Sequence, residues 1–136
     1  MSGEGGSKKR LGQYFLQNQA QMEKIAGALE LRHDGTVIEI GAGHGELTRV
    51  LIKTLKAAQN EWKLIAIEKD EELAREMKDN FSILYPKLRV MKGDALKLLP
   101  QLSAKSKLED YKLTGNIPYY ITGKLLRIVG SLRHKP

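Results

Sequence analysis

Several short apolar segments of the chain are each followed by residues that could bind a nucleoside or orient an amine. Glycines allow the backbone to pass close to a ligand, and a carboxylate can accept hydrogen bonds from both hydroxyls of a ribose. In an open parallel sheet, ligands bind outside the carboxyl ends of the strands. The sequence therefore predicts one ligand site built from several strand ends. Its first candidates are Gly41, Gly43, Gly45, Glu68, Asp94 and Asn116.

The glycine-rich loop follows the apolar segment TVIEI in the sequence EIGAGHGELT. Its spacing is G-x-G-x-G, whereas dinucleotide-binding folds use G-x-G-x-x-G. With Glu39 immediately before it, the loop resembles motif I of S-adenosylmethionine-dependent methyltransferases. A nicotinamide cofactor is the alternative ligand. A tight turn between a strand and a helix could also explain the glycines without any ligand.

Glu68 and Asp94 each have two interpretations. Glu68 could bind a ribose or favour the N-terminus of the next helix, but Asp70 is already placed to cap that helix, so we favour the ligand. Asp94 could accept a hydrogen bond from the exocyclic amine of adenine. It could also cap a helix that begins at Ala95, and the two roles are compatible.

The segment NIPY, residues 116–119, follows the last predicted strand. Proline fixes its own φ and restricts the residue before it, so we expect a rigid turn. The side-chain oxygen of Asn116 and the carbonyl of Ile117 or Pro118 could accept both hydrogens of an exocyclic amine. Tyr119 could stack on the base, and catalysis would come mainly from orientation. The alternative is a capped turn whose Tyr119 packs in the core.

Hydrophobic periodicity predicts strands that alternate with helices. This pattern is typical of an α/β fold, and the short connections favour a Rossmann-like, doubly wound parallel sheet with helices on both faces. The predicted helices are 18–31, 46–58, one that begins after Asp70, 95–102 and 121–132, and the predicted strands are 36–40, 63–67, 88–91 and 111–115.

Composition limits the function classes further. Lys and Arg number 23 against 16 for Asp and Glu, which gives a net charge of +7 and favours a polyanionic partner such as nucleic acid. The chain has no cysteine, its three histidines have no metal-ligand spacing, and no metal is expected. Neither a membrane span nor a secretory signal is recognisable, so we expect a cytoplasmic protein.

Five motifs stand in a specific order: GQYFL (12–16), EIGAGHGELT, IEKD, GDAL and NIPYYIT. In this order they resemble the ribosomal RNA adenine dimethyltransferases of the KsgA family, from about residue 9 to residue 127. The Erm enzymes, which methylate large-subunit ribosomal RNA, share these motifs, and a mitochondrial transcription-factor branch is a further relative. The resemblance implies S-adenosylmethionine as cofactor and ribosomal RNA, preferably of the small subunit, as substrate.

The resemblance also implies roles for single residues. Implied catalytic residues, which contact the target adenine, are Asn116, Ile117, Pro118 and Tyr119. Implied cofactor contacts are Gln13, Tyr14, Leu16, Gly41, Gly43, Glu68, Asp94, Ala95 and Asn116. Tyr14 replaces the Asn or His common at its position, so a side-chain bond to the methionine part is not expected there. Ile117 replaces the commoner leucine, which is a mild change because the contact with the adenine amine is made by the backbone carbonyl and not by the side chain.

Members of this family are much longer, with three more strands and a helical RNA-binding domain. We therefore expect residues 1–9 to be a flexible basic head and residues 10–136 a truncated core with strand order 3-2-1-4. The free edge of the last strand, Tyr111–Gly115, could support self-association. Candidate phosphate contacts are Lys8, Lys9, Arg10 and Arg127, with Arg133 and Lys135.

Three functional alternatives stay open at this point. The chain could be an active adenine methyltransferase, of either the small-subunit or the Erm type. It could be a non-enzymatic RNA-binding or ribosome-assembly module that retains the cofactor fold. It could also be a nicotinamide-dependent oxidoreductase.

Overall fold

A computed structural model of the chain describes residues 19–31, 33–59, 61–105, 108, 110–117 and 119–136. Within these residues, helices and strands alternate as the sequence predicts. The helices are α1 (Gln19–Ala28), α2 (Glu46–Ala57), α3 (Glu71–Phe81), α4 (Ala95–Ala104) and α5 (Tyr119–Ser131). The strands are β1 (Thr36–Ile40), β2 (Lys63–Glu68), β3 (Leu88–Lys92) and β4 (Tyr111–Gly115).

The strands form one parallel sheet in the order β3-β2-β1-β4. Ile40 pairs in register with Ile67 on one side and with Gly115 on the other. On the far side of β2, Glu68 pairs with Lys92. Because all four strands run the same way, their carboxyl ends meet at one edge of the sheet. The predicted Rossmann-like fold and strand order are confirmed.

Each face of the sheet is covered by helices, because the strands are apolar on both sides. Val37 packs in a cluster with α1, α2 and α3, whereas its neighbour Ile38 packs in the opposite cluster with α4 and α5. Leu64 and Ile67 divide between the two clusters in the same way. The alternation follows from the two-residue repeat of a strand. It also places Glu39, two residues after Val37, on the α2 side of the sheet.

The predicted boundaries of β1 and β4 are the same as the observed ones, and most others differ by one or two residues. The largest difference is at α1, which ends at Ala28 rather than residue 31, and the end of α4 and the start of α5 each differ by two residues. α5 begins at Tyr119, two residues earlier than predicted, so Tyr119 belongs to its first helical turn, whereas Asn116 and Ile117 lie before the helix. No strong capping residue in the sequence marks this start, which explains the error. None of the described helices has the length and apolar character needed to cross a membrane.

Candidate active site

A cavity of about 330 Å³ opens at the carboxyl edge of the sheet, between the ends of the strands and the start of α5. Its volume lies in the range of small-molecule sites. It brings together five of the residues predicted from sequence, which follow or end four different strands. These are Gly41, Glu68, Asp94, Ala95 and Asn116.

The glycine loop leaves β1 through backbone angles that side chains rarely tolerate. Gly41 has φ 68° and its backbone N–H donates to the Ile67 carbonyl at 2.9 Å. A Cβ atom on Gly41 would lie 3.3 Å from the Asn116 carbonyl oxygen. Gly45 has φ 88°, and a Cβ there would lie only 2.4 Å from the ring of Phe81. The loop is therefore held between the β4 end and α3, with its backbone exposed to the cavity at Gly41.

The Glu68 carboxylate fastens this loop to the end of β2. Glu68 is 8% exposed, and its Oε2 accepts from the Gly43 backbone N–H at 2.7 Å. Its Oε1 accepts from the Asp70 backbone N–H at 3.1 Å. Asp70 itself caps α3 by accepting from the N–H groups of Glu72 and Leu73, as predicted. A carboxylate has about four lone-pair sites, so Glu68 can accept further hydrogen bonds from a ligand in the cavity.

Asp94 caps α4, which confirms the structural part of its predicted role. Its Oδ1 accepts from the Leu96 backbone N–H at 2.9 Å. The cap uses one of the two carboxylate oxygens, and Asp94 also lines the cavity together with Ala95. Helix capping and ligand binding are therefore compatible at this residue.

A second carboxyl group lies beneath the glycine loop. Glu39 is 1% exposed, and Thr48 donates its hydroxyl to Glu39 Oε2 at 2.5 Å. The pKa of the Glu39 carboxyl is raised to about 8, mainly by burial; the hydrogen bond from Thr48 lowers this pKa, and the nearby charges of Glu46 and Glu68 raise it. Glu39 is thus largely protonated at neutral pH and adds little negative charge under the loop.

Two tyrosines stand at the open side of the site. Tyr119 is 90% exposed and Tyr120 is 73% exposed. Their ring centroids are 6.0 Å apart with an interplanar angle of 83°, which is an edge-to-face contact. The exposure of Tyr119 excludes the alternative that it packs in the core. Tyr120 lines the cavity, and sequence reasoning missed this role although the residue follows NIPY directly.

The remaining predicted residues differ in their placement. Gly43 does not line the cavity, but its backbone N–H donates to the Glu68 carboxylate. Ile117 is partly buried and packs against the apolar cluster under α4 and α5. Arg127 is exposed on α5, away from the cavity lining. Gln13, Tyr14, Leu16, Pro118, Lys8, Lys9 and Arg10 lie outside the described residues.

Sequence reasoning also missed part of the cavity wall. The missed residues are Ile40, Ile67, Lys69, Gly93, Leu96, Tyr120 and Ile121. Most are apolar neighbours of predicted residues, so proximity in sequence was the available signal. In the part of the chain that the structure describes, no group of three or more His, Asp or Glu side chains could hold a metal ion.

The family description that matches this chain is "Ribosomal RNA adenine dimethylase", over residues 6–134. The chain belongs to this family. Among curated dimethylase relatives, the ribosomal RNA small subunit methyltransferase A of Dehalococcoides mccartyi is 39% identical over 130 residues. That match covers 96% of this chain and 42% of the relative. The protein of the same name from Synechococcus sp. is 35% identical, over 93% of this chain and 43% of the relative. The chain thus spans less than half the length of these relatives.

Solved structures of other methyltransferases have a similar fold. The crystal structure of the 23S rRNA methyltransferase ErmE is 26% identical and covers 89% of this chain and 44% of its own, with a TM-score of 0.67. The O-methyltransferase TomG from Streptomyces achromogenes covers 100% of this chain and 63% of its own, with a TM-score of 0.71. At 16% identity, TomG shows the fold alone.

Proposed function

We propose that this chain binds S-adenosylmethionine in the 330 Å³ cavity and forms the core of an enzyme that methylates the exocyclic amine of adenine in ribosomal RNA. One observation carries the proposal: strand ends far apart in sequence bring Gly41, Glu68, Asp94 and Asn116 to one cavity. Family membership supports this reading over a nicotinamide-dependent oxidoreductase. In this proposal residues 10–136 form the catalytic core and residues 1–9 a basic head.

The residues present fit this cofactor. Glu68 is fixed by two backbone amides and retains acceptor capacity for the two ribose hydroxyls. Asp94 can accept from the adenine amine while it caps α4. At Gly41 the absence of a side chain leaves room for a ligand beside the Asn116 carbonyl. Ala95 lines the same wall, and Gly43 acts through Glu68. We extend the cofactor contacts to Gln13, Tyr14 and Leu16 by family resemblance.

When bound, the cofactor supplies a sulfonium methyl group as the electrophile. Asn116 lies on the cavity wall, where its side-chain oxygen can accept one amine hydrogen of the target adenine. The carbonyl of Ile117 or Pro118 would accept the other. The two acceptors would leave the nitrogen lone pair aimed into the cavity, and the exposed Tyr119 would stack on the base. The contribution of these residues is orientation of the amine.

Ribosomal RNA of the small subunit is the substrate we favour. Its support is the name of the curated relatives, ribosomal RNA small subunit methyltransferase A. The similarity to ErmE, a 23S rRNA methyltransferase, keeps large-subunit RNA as the second candidate. Lys8, Lys9, Arg10 and the exposed Arg127 are proposed phosphate contacts. We propose that the protein acts in the cytoplasm, where it would encounter its ribosomal RNA substrate.

Self-association is a further proposal about partners. In the described residues β4 pairs with β1, and no strand pairs with its outer edge. A second copy could pair along Tyr111–Gly115. Analytical ultracentrifugation should then show dimers that grow with concentration. A monomer throughout would contradict this.

The cofactor assignment is tested by isothermal titration calorimetry with S-adenosylhomocysteine. Glu68→Ala removes the ribose acceptor and the tether of the glycine loop, so we expect affinity to fall by about 100-fold, equivalent to roughly 2.7 kcal/mol. Glu72→Ala, at an exposed carboxylate on α3, is the matched control and should change affinity less than about twofold. Equal affinity of the Glu68→Ala and wild-type chains would overturn the assignment.

A methyl-transfer assay separates the enzyme from the non-enzymatic module. Labelled S-adenosylmethionine is incubated with the chain and unmodified small-subunit ribosomal RNA, and adenine is analysed for label. Incorporation that is lost in Asn116→Ala supports the enzyme. RNA binding without incorporation supports the assembly module.

A further inference from the structure

A second, shallower groove lies beside the active site, on the face of the sheet that α3 covers. Its volume is about 220 Å³, and it runs between α3 and the edge strand β3. The groove does not include any of the residues assigned to the cofactor or the target base. Its lining consists of Glu71, Ala74, Arg75, Lys78, Val90 and Lys92.

Helix and strand periodicity bring the basic residues of this groove together. Arg75 and Lys78 are three residues apart on α3 and therefore lie on one helix face. Val90 and Lys92 are two residues apart on β3 and share one face of the sheet. Val90 packs against the apolar cluster under α3, which places Lys92 on the same side.

The charges in the groove are not balanced. Its lining has three cations and one carboxylate, that of Glu71, and Lys92 Nζ lies 3.2 Å from Glu71 Oε2. Among the described residues, Arg75 and Lys78 form no ion pair. The nearby Glu76 faces away to the glycine loop, where its Oε2 is 3.8 Å from His44 Nδ1. Two exposed cations are thus available to an anion in solution.

We propose that this groove binds the phosphate backbone of the RNA substrate through Arg75 and Lys78. The inference rests on the proposed function, which makes RNA the polyanion. Arginine can bind a phosphate through two parallel hydrogen bonds, and lysine adds a point charge. The net charge of +7 and the ribosomal RNA family favour RNA over an acidic protein.

The position of the groove determines which part of the RNA it contacts. Lys92 at one end of the groove pairs in register with Glu68 of the cavity. β3 and β4 are three strand spacings apart, which is roughly 14 Å between the groove strand and Asn116. The groove therefore contacts nucleotides that flank the target adenine, and its contribution to affinity is independent of base sequence.

The test compares two double variants of the full chain in RNA binding. Arg75→Ala/Lys78→Ala removes the groove cations. Lys53→Ala/Lys56→Ala removes the same charge, at the same spacing of three residues, from exposed positions on α2. Affinity for a small-subunit ribosomal RNA fragment is measured by fluorescence anisotropy between 50 and 200 mM salt, with a scrambled RNA of equal length and a polyglutamate peptide as further probes.

For the groove variant we expect the slope of log affinity against log salt to fall by about two, and affinity at 100 mM salt to fall at least about tenfold. The loss should be equal for both RNAs, and the α2 variant should stay within about twofold of wild type. Arg75→Lys/Lys78→Arg, which keeps both charges, should restore the slope.

Equal losses in the groove and α2 variants would overturn the proposal, as would a wild-type chain that binds polyglutamate as tightly as RNA. A wild-type chain that binds no RNA would overturn it too. S-adenosylhomocysteine calorimetry on the same samples keeps this failure distinct from a failure of the cofactor assignment, since the groove variant should bind that ligand normally.

Discussion

The two sides of the proposed active site, one for the cofactor and one for the target base, differ in how firmly the protein holds them. On the cofactor side, Glu68 is buried and bonded to two backbone amides, and Asp94 is fixed as a helix cap. On the target side, Tyr119 and Tyr120 extend from the first turn of α5 with most of their surface in solvent. On the proposed function, the difference indicates that the cofactor contacts are preorganised within this chain, whereas the geometry of the base contacts would depend on the bound RNA.

This contrast has a physical origin in the sheet. β1 and β2 are central strands with neighbours on both sides. The end of β2 accepts hydrogen bonds from the loops on both sides, from the N–H groups of Gly41 and Ala42 after β1 and from the Gly93 N–H after β3. β4 is an edge strand among the described residues, and Asn116 and Tyr119 follow it with support mainly from one side. Substitutions should therefore cost stability on the cofactor side and cost activity on the target side.

The largest expected effect on stability comes from the glycine loop. Gly45→Ala places a Cβ against the Phe81 ring at a residue with φ 88°, and we expect the free energy of unfolding to fall by roughly 2–5 kcal/mol. Gly123→Ala in α5 is the control, since nothing lies within 4 Å of its Cβ and helix propensity should stabilise by about 0.5–1 kcal/mol. Urea unfolding measures both. Equal stabilities would show that the loop is not fixed as described.

The buried Glu39 carboxyl should make stability depend on pH. Its pKa is about 8 in the native chain against 4.5 for the free group, so the unfolded chain binds fewer protons between these values. The contribution of Glu39 to stability is fully present below pH 4.5 and is lost as pH rises through about 8. We expect the free energy of unfolding to fall by on the order of 3 kcal/mol across this window.

The variant Glu39→Gln tests whether Glu39 causes this pH dependence of stability. The amide cannot ionise, so the fall in unfolding free energy should largely disappear, whereas Glu72→Gln at an exposed position should leave it in place. Urea unfolding at pH 5, 6, 7 and 8 gives the comparison. A wild-type profile that rises over this range would contradict a protonated Glu39.

The smallest effect on stability is expected at the target side. Tyr119→Ala removes an almost fully exposed ring, so the free energy of unfolding should change by less than about 0.5 kcal/mol and S-adenosylhomocysteine affinity by less than about twofold. Methyl transfer to RNA should fall about 5- to 150-fold, because base stacking contributes roughly 1–3 kcal/mol per base. A large loss of stability here would remove the contrast between the halves.

The sequence predicted the residues of the cofactor side better than those of the target side, because the cofactor side depends more on local sequence patterns. On the cofactor side, local sequence patterns mark the apolar strands β1 and β2, the glycines after β1 and the acidic residues at the end of β2. The bounds of β1 were predicted to the residue. The cavity-lining Tyr120 and the start of α5 at Tyr119 depend on how α5 packs, which no local pattern determines. The bond from Gly43 to Glu68 joins residues 25 positions apart and could not be predicted from either motif. The groove cations likewise meet only when α3 packs on β3.

The most direct test of the central claim is a crystal structure of this chain with S-adenosylhomocysteine. We expect the ribose hydroxyls within hydrogen-bond distance of Glu68, the adenine amine at Asp94, and Gly41 against the ligand, with the loop in the conformation described here. A ligand bound elsewhere, or a Glu68 carboxylate that contacts only the Gly43 and Asp70 amides while the cavity stays empty, would contradict the account.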